Sequence, residues 1–235
     1  MLEVKVWGDY ACFTRPEQKV ERMSYDVMTP SAARGVLEAI SWKPEFYWKV
    51  REIWVLKPIR HFSLVRNEVK SQASETSAKK WQKKGGGYFA DQDRTQRYSL
   101  ILRDVAYIIK ADIELAEHAT SRGDSREDLL TKYECIFKRR VKNGQAYAQP
   151  YLGTREFSAW FCEPCRDETA IDHSDDLGRM LFDMQFAQAK KGAVSYRRHS
   201  EAGGKWTTGN ARPVFFDARL DKGVLYVPDK YDEVR

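Results

Sequence analysis

The first 44 residues place a short strand before a capped helix, and this order limits the folds that the chain can adopt. Residues 2–7 alternate apolar and polar side chains, which predicts a strand. Thr29 or Ser31 can cap the free amides of a helix, and Pro30 suits its first turn. The helix must end before Pro44, because the residue before a proline avoids the helical region. Its apolar stripe consists of Val36, Leu37 and Ile40.

The next predicted elements are two strands, a second helix and a further strand. Residues 50–65 predict a long strand with Pro58 at a bulge or an edge, and residues 97–115 predict another strand. Residues 125–142 combine a Ser125–Asp128 capping box with apolar residues at helical spacing, which predicts a second helix. A further strand-like run covers residues 151–161.

The predicted order up to residue 160 is strand, helix, strand, strand, helix, strand. This is the βαββαβ order of a ferredoxin-like (RRM-like) domain of the α+β class. Such sheets often present an open face to single-stranded RNA. Residues 161–235 predict a smaller β-rich C-terminal domain, which closes with a hairpin whose turn is Asp221-Lys222-Gly223.

The chain is basic, and its net charge limits the kinds of partner that it can bind. Its 235 residues carry a net charge of +6 and have a pI near 9.0, which suits either a polyanion-binding protein or a merely soluble basic one. No apolar run approaches the roughly 20 residues that cross a bilayer, and the N-terminus does not resemble a secretory signal. We therefore expect a cytoplasmic protein without a membrane partner.

The second predicted helix is strongly basic. Lys132 and Arg139 are seven residues apart, so they lie on one face and could contact successive phosphates. The same charges could instead form a solvated helix face. Tyr133 falls on the apolar stripe, where it either packs in the core or takes part in catalysis. The basic residues in the later part of this helix, from residue 132 onward, are Lys132, Lys138, Arg139, Arg140 and Lys142.

Residues 66–87 are polar, rich in lysine and without apolar periodicity, which predicts a mobile loop. Lys79 and Lys80 directly precede Trp81, an arrangement that can hold phosphates while a base stacks. A solvated, disordered loop is the alternative. The glycine triplet that follows is not a nucleotide-binding loop, because no GxxxxGK[ST] pattern occurs.

The sequence contains few grouped side chains that could bind a metal ion. Cys162 and Cys165 form one CxxC pair with only His173 nearby, whereas a structural zinc site needs four ligands. No grouped carboxylates suggest a two-metal nuclease. We predict free thiols, no metal and no cofactor. RNA can still be cleaved without a metal, since its own 2′-hydroxyl can attack the adjacent phosphate.

Several separated motifs resemble one known family. The first is residues 8–44, which contain Gly8-Asp9-Tyr10, Thr29-Pro30-Ser31-Ala32 and Trp42-Lys43-Pro44. Residues 101–111 and 137–157 continue the similarity, the latter with Leu152-Gly153-Thr154-Arg155-Glu156. In this order the motifs resemble the subtype I-C (Dvulg-type) proteins of the fifth CRISPR-associated family.

The resemblance implies a ferredoxin-like N-terminal domain and metal-independent cleavage of the CRISPR repeat hairpin at its 3′ base. The products would be a 2′,3′-cyclic phosphate and a guide RNA with a 5′ handle. The protein would stay on that handle as a subunit of a subtype I-C Cascade complex. Binding of double-stranded DNA is also implied.

The resemblance also suggests site residues. Cutters of this family carry a tyrosine before Trp-Lys-Pro and a Lys-His pair on the second helix, but here these positions are Ser41 and Lys132-Tyr133. We predict Lys132, Tyr133 and Tyr47 as catalytic residues. Because two positions differ, a non-catalytic subunit that only binds the handle is the alternative. The predicted RNA-binding residues are Lys43, Lys79, Lys80, Trp81, Arg139, Arg140 and Arg155.

Overall fold

The computed structural model describes residues 1–18, 20–71, 74–122, 125–197 and 206–229. The strands are β1 (Leu2–Ala11), β2 (Arg22–Met23), β3 (Phe46–Val55), β4 (His61–Val69), β5 (Arg94–Leu115), β6 (Trp160–Cys162), β7 (Asp175–Gln188), β8 (Val194–Arg197), β9 (Trp206–Asp221) and β10 (Val224–Tyr226). The α-helices in the described ranges are α1 (Pro30–Ile40), α2 (Glu75–Lys84) and α3 (Arg126–Lys142). A short 3-10 segment, Glu117–Arg122, leads into α3.

The ten strands of the described residues belong to one sheet, whose main path runs β6-β1-β5-β3-β10-β9-β7. Every pairing is antiparallel except that of β2 with β5. With its antiparallel sheet and three helices among the described residues, the protein belongs to the predicted α+β class. No helix in the described ranges has the length and apolar character needed to span a bilayer.

The central strand is β5, which is 22 residues long. Its first part, residues 94–102, pairs with β4. Its later part pairs with β1 on one side and with β3 on the other. The strand predicted at residues 97–115 is therefore confirmed, and it continues through Asp104, which adopts a φ of 54°.

The first helix forms as its sequence predicts. The Thr29 hydroxyl accepts a hydrogen bond from the Ala32 amide at 3.3 Å, and Pro30 occupies the first turn. The predicted apolar stripe is buried. The helix ends at Ile40, before Pro44, and Ser41 is its C-terminal cap.

The second predicted helix, α3, is also confirmed. The Ser125 hydroxyl accepts from the Asp128 amide at 3.1 Å, and Gly144 follows the helix with a φ of 61°. Its buried stripe packs against the sheet, and the helix contacts α1. The buried residues are Leu129, Tyr133, Phe137 and Val141.

Two strand predictions were wrong in extent. The strand predicted at 50–65 is two strands, because β3 ends at Val55 and β4 begins at His61. Pro58 lies in the break, where its missing amide hydrogen costs no sheet hydrogen bond. The run at 151–161 forms a strand only at Trp160–Cys162, because a turn containing Gly153 at a φ of 87° interrupts it.

The prediction of a mobile loop at 66–87 was wrong for the described residues. Strand β4 continues to Val69, and α2 follows from Glu75. The Ser74 hydroxyl caps α2 by accepting from the Ser77 amide at 3.1 Å, and Glu75 pairs with Lys79 at 2.5 Å. Since α2 buries no residue, it has no apolar stripe for sequence analysis to detect. We call β4, α2 and residues 88–102 the arm.

The C-terminal strands extend the same sheet. Strand β10 pairs with β3, for example Leu225 with Ile53, and it forms a hairpin with β9. Lys222 and Gly223 both have positive φ, 45° and 76°, as a type I′ turn requires. The predicted hairpin turn is therefore confirmed.

We expect Gly153→Ala to destabilise the fold far more than Gly144→Ala. Both glycines have positive φ, so each substitution costs about 1 kcal/mol of backbone strain. A Cβ at Gly153 would also overlap the backbone carbonyl of Cys12, whereas one at Gly144 would meet open space. The free energy of unfolding should fall by roughly 3 kcal/mol or more for Gly153→Ala. Equal losses in urea melts of the two variants would contradict the close approach.

Candidate nucleic-acid interface and active site

The predicted catalytic residues Lys132 and Tyr133 lie on the solvent-facing and sheet-facing sides of α3, respectively. Lys132 is exposed, and its Nζ lies 5.9 Å from the centroid of the Tyr133 ring. Tyr133 is only 6% exposed and packs on Phe46, with 5.0 Å between ring centroids. A solvent-accessible ammonium therefore lies directly beside a mostly buried phenol.

The third predicted catalytic residue, Tyr47, projects from β3 away from α3. Successive side chains of a strand point to opposite faces, and its neighbours Phe46 and Trp48 contact α3. Burial, with the nearby charges of Glu114 and Glu117, raises the pKa of Tyr47. Its hydroxyl stays protonated at neutral pH, so it can donate a hydrogen bond but is a poor base.

Ser41 joins the Trp-Lys-Pro motif to α3. Its carbonyl accepts a hydrogen bond from the Trp48 indole at 2.8 Å, and Trp48 packs on Phe137 of α3 with 4.7 Å between centroids. Ser41 itself is buried, whereas Lys43 is exposed two residues later. The structure thus brings the residue before the motif and the middle of α3 into one packed group.

Arg139 and Arg140, both predicted to bind RNA, have different surroundings. Arg139 is exposed at the end of α3, where a cation also complements the helix dipole. Arg140 is half-buried, and its Nη1 donates to the Ile40 carbonyl of α1 at 2.5 Å. Arg140 therefore caps the C-terminal end of α1, whereas Arg139 does not.

The arm carries the predicted residues Lys79, Lys80 and Trp81 on α2. Both lysines are exposed, although Lys79 pairs with Glu75. The Trp81 ring stacks on Tyr88 at 6.2 Å with an interplanar angle of 24°. The arrangement is a basic helix with a half-buried ring rather than a loose loop.

Arg155 lies in the turn between α3 and β6, where it is exposed. The adjacent Glu156 pairs with Arg66 of the arm at 3.2 Å and with Arg22 at 3.6 Å. These ion pairs hold the turn that contains Arg155 against β4 of the arm.

The predicted residues consequently form two groups along β5. The arm pairs with the first residues of β5. At the other end of the strand, Arg126 of α3 donates to the carbonyl of Leu115, the last residue of β5, at 3.1 Å. Twenty-two residues of strand extend roughly 70 Å at full length. The arm and the start of α3 are therefore tied to opposite ends of this strand.

Sequence analysis missed a cavity of about 550 Å³ between α1, the start of β3 and strands β7 to β9. Aromatic residues from distant parts of the chain form most of its wall, so no local pattern reveals it. The only signal in the sequence is the number of tryptophans, seven in all. The aromatic residues of this aromatic cavity are Trp42, Tyr47, Trp48, Phe186, Tyr196 and Trp206.

An ion-pair cluster forms the polar part of the aromatic cavity. The Arg34 guanidinium donates to both Asp183 oxygens, at 2.9 and 2.7 Å, and to Glu38 Oε1 at 2.6 Å. Burial alone would lower the pKa of Arg34, but the two carboxylates outweigh it and hold the pKa above its usual value. The cluster ties α1 to β7.

Two further polar groups lie near the start of α3. His118 Nε2 and Glu45 Oε2 are buried and lack a hydrogen-bond partner in the described residues. Their segments are neighbours, because the Ala116 amide donates to the Glu45 carbonyl at 2.9 Å. In the sequence, His118 is one of four scattered histidines, and only the tertiary structure distinguishes it.

The described residues contain no group of three or more His, Cys, Asp or Glu arranged to hold a metal ion. All four cysteines are free thiols. Burial raises the pKa of the Cys162 thiol, so it is protonated at neutral pH. The backbone amide of Cys165 donates a hydrogen bond to the Glu168 carboxylate at 2.9 Å, which closes the turn after this cysteine.

Comparisons with known proteins identify the class. Residues 1–228 match the family model described as CRISPR-associated protein (Cas_Cas5). A solved structure described as "Crystal Structure of CRISPR-associated Protein" has the same fold, with a TM-score of 0.61 at 23% identity over 99% of this chain and 93% of the other. The fold and the family match define a CRISPR-associated protein.

Two curated relatives are closer in sequence. The chain is 47% identical over 235 residues to "CRISPR pre-crRNA endoribonuclease Cas5d" of Thermus thermophilus, covering 99% of this chain and 94% of that protein. It is 41% identical to the protein of the same name from Mannheimia succiniciproducens, covering 99% and 96%. The chain therefore belongs to the Cas5d family, which confirms the resemblance seen in its motifs.

The different surroundings of Arg139 and Arg140 generate a prediction. Arg140→Ala should lower the free energy of unfolding by about 1–2 kcal/mol, because the Ile40 carbonyl loses a charged donor at a helix C-terminus. Arg139→Ala should change it by less than about 0.5 kcal/mol, as is usual for an exposed side chain. Thermal melts of both variants measure this difference, and indistinguishable melts would rule out a capping role for Arg140.

Proposed function

We propose that this protein is an endoribonuclease that cleaves CRISPR repeat hairpins in precursor CRISPR RNA and remains on the 5′ handle of the guide as a subtype I-C Cascade subunit. The observation that carries the proposal is identity of 47% and 41%, over nearly the whole chain, to two relatives named as pre-crRNA endoribonucleases. The basic α3 supports it, since six cations on one helix suit an RNA backbone.

The proposed reaction needs no metal. The 2′-oxygen of the nucleotide before the cut attacks the adjacent phosphorus, and the bond from phosphorus to the 5′-oxygen breaks. The products are a 2′,3′-cyclic phosphate and a 5′-hydroxyl, so no water is consumed. Lys132, exposed on α3, would stabilise the negative charge that develops on the phosphate.

The tyrosines would act as hydrogen-bond donors. The Tyr133 ring centroid lies 5.9 Å from the Lys132 ammonium, so its hydroxyl would orient the phosphate or the attacking hydroxyl only if it reaches the surface beside Lys132. The raised pKa of Tyr47 suits donation at neutral pH. Its projection from the other face of β3 favours RNA positioning over direct contact with the phosphate that Lys132 holds.

The strand order β6-β1-β5-β3, with α1 and α3 as the crossovers, supports a ferredoxin-like domain at residues 1–160, whose last strand, β6, crosses this boundary and ends at Cys162. We assign residues 161–235 to the smaller β-rich domain. The sheet is continuous through β10, so the two parts share one set of backbone hydrogen bonds.

A second candidate function is binding of the guide handle without cleavage. Ser41 favours it, because the family resemblance implies a tyrosine at this position in the cutters, whereas here it is a buried helix cap. A buried serine hydroxyl offers no replacement for a tyrosine at an RNA-binding surface.

Cleavage of the cognate repeat RNA in EDTA distinguishes the two functions. We expect cutting in EDTA, and we expect Lys132→Ala to slow it by about 10²–10³-fold, because an electrostatic contact to the transition state is lost. RNA affinity should change only a few-fold. Lys138→Ala on the same helix is the matched control, since Lys138 pairs with Glu134 at 3.6 Å. Tight binding without cleavage would instead establish the handle-binding function.

We also propose that the arm binds nucleic acid, including double-stranded DNA. Lys79, Lys80, Lys83 and Lys84 are exposed on one short helix that buries none of its residues. The lysines of such a helix can contact the backbone phosphates of a duplex without disturbing the fold.

Replacing Lys79 and Lys80 together by alanine should weaken duplex DNA binding and reduce the slope of log K against log salt by up to about 2. Replacing the exposed Lys191 and its neighbour Lys190 removes the same charge from the turn between β7 and β8. Gel shifts over a range of salt concentrations compare the two. If both double variants lose affinity equally, net charge rather than the arm governs binding.

A further inference from the structure

The aromatic cavity has the composition of a base-binding site. Phe186 of β7 and Tyr196 of β8 lie with ring centroids 4.9 Å apart and an interplanar angle of 32°. Trp206 of β9, beside them on the wall, is 64% exposed. Apolar rings that cluster around one surface cavity, unlike a singly exposed ring, mark a ligand site, and nucleobases stack readily on such rings.

The charges of the wall discriminate against a phosphate. Arg34 is the cation of the wall, and it is already bound by the carboxylates of Glu38 and Asp183. These three residues sum to one negative charge. Among the described residues, Arg34 donates to Oε1 of Glu38 and not to its Oε2, and Glu38 is one of the lining residues. A carboxylate of this kind accepts from an exocyclic amino group and repels an anion.

An exposed cation follows one of the wall residues in the sequence. Trp42 lines the wall, and the next residue, Lys43, is exposed. The volume of about 550 Å³ accommodates a base and part of its ribose.

We infer that the aromatic cavity binds one unpaired nucleobase of the RNA that this protein holds, with an amino-bearing base favoured over uracil. The inference rests on the proposed function and adds a specific subsite to it. The base leaves its stack and lies among Phe186, Tyr196 and Trp206, as is usual where proteins read single-stranded RNA. Its amino group donates to Glu38.

The test combines abasic RNA with a substitution in the wall. Each unpaired position of the repeat RNA is made abasic in turn, and Kd is measured in EDTA at fixed salt. For the wild-type protein, one position should weaken binding by roughly 5- to 100-fold when the base is lost. Trp206→Ala should weaken binding of intact RNA by a similar factor. The abasic change at that position should then cost nothing further, because both changes remove the same contact.

Trp160→Ala is the matched control. Trp160 is 65% exposed on β6, at the opposite edge of the sheet from β7. This variant should bind intact RNA like the wild type and keep the full abasic penalty. Phe186→Ala is a second variant in the wall, and thermal melts of each variant verify that it is folded.

Independent, additive losses from Trp206→Ala and from every abasic position would overturn the inference. The inference would also be overturned if Trp206→Ala bound RNA with wild-type affinity. This holds even if the variant then failed to assemble with other Cascade subunits. If the wild-type protein itself shows no preference for the repeat RNA, the proposed function fails first, and that result is distinct from either of these.

Discussion

The fold depends on a single strand that is longer than any one of its partners. Over its 22 residues, β5 pairs with β4 near its start and with both β1 and β3 near its end. The main sheet needs its later half to complete the hydrogen bonds of two strands. The earlier half extends beyond that sheet and supports the arm. Both groups of basic residues are therefore positioned by the same backbone, which sets the distance between them.

The C-terminal end of α1 is the second place where several parts of the chain meet. Its last carbonyls accept from Arg140 of α3, from the Trp48 indole of β3 and from the Tyr147 amide after α3. Unpaired carbonyls at a buried helix end would be costly. The Trp-Lys-Pro motif thus serves the fold, by connecting α1 to β3 under α3, as well as presenting Lys43. This explains how a motif can matter to the protein without all of its residues touching a substrate.

Elements with local signals could be predicted from the sequence, and those that depend on distant contacts could not. Thr29 and Ser125 cap helices whose buried stripes have helical spacing, so α1 and α3 were evident. Helix α2 has a cap but buries nothing, and apolar periodicity therefore missed it. The aromatic cavity joins Trp42 to Trp206, and only the tertiary structure brings them together. Arg139 and Arg140 look alike in the sequence, yet one of them caps a helix.

The exposure of α2 has a consequence for how the arm behaves over time. A helix of ten residues without a buried face has little free energy holding it together, since short isolated helices are marginal in water. Its amides can exchange with solvent while the main sheet stays intact. Four lysines on this helix repel one another, and a bound polyanion would relieve that repulsion. The tip of the arm is thus held by its Ser74 cap and its Glu75–Lys79 pair rather than by burial, and a bound polyanion would stabilise it further.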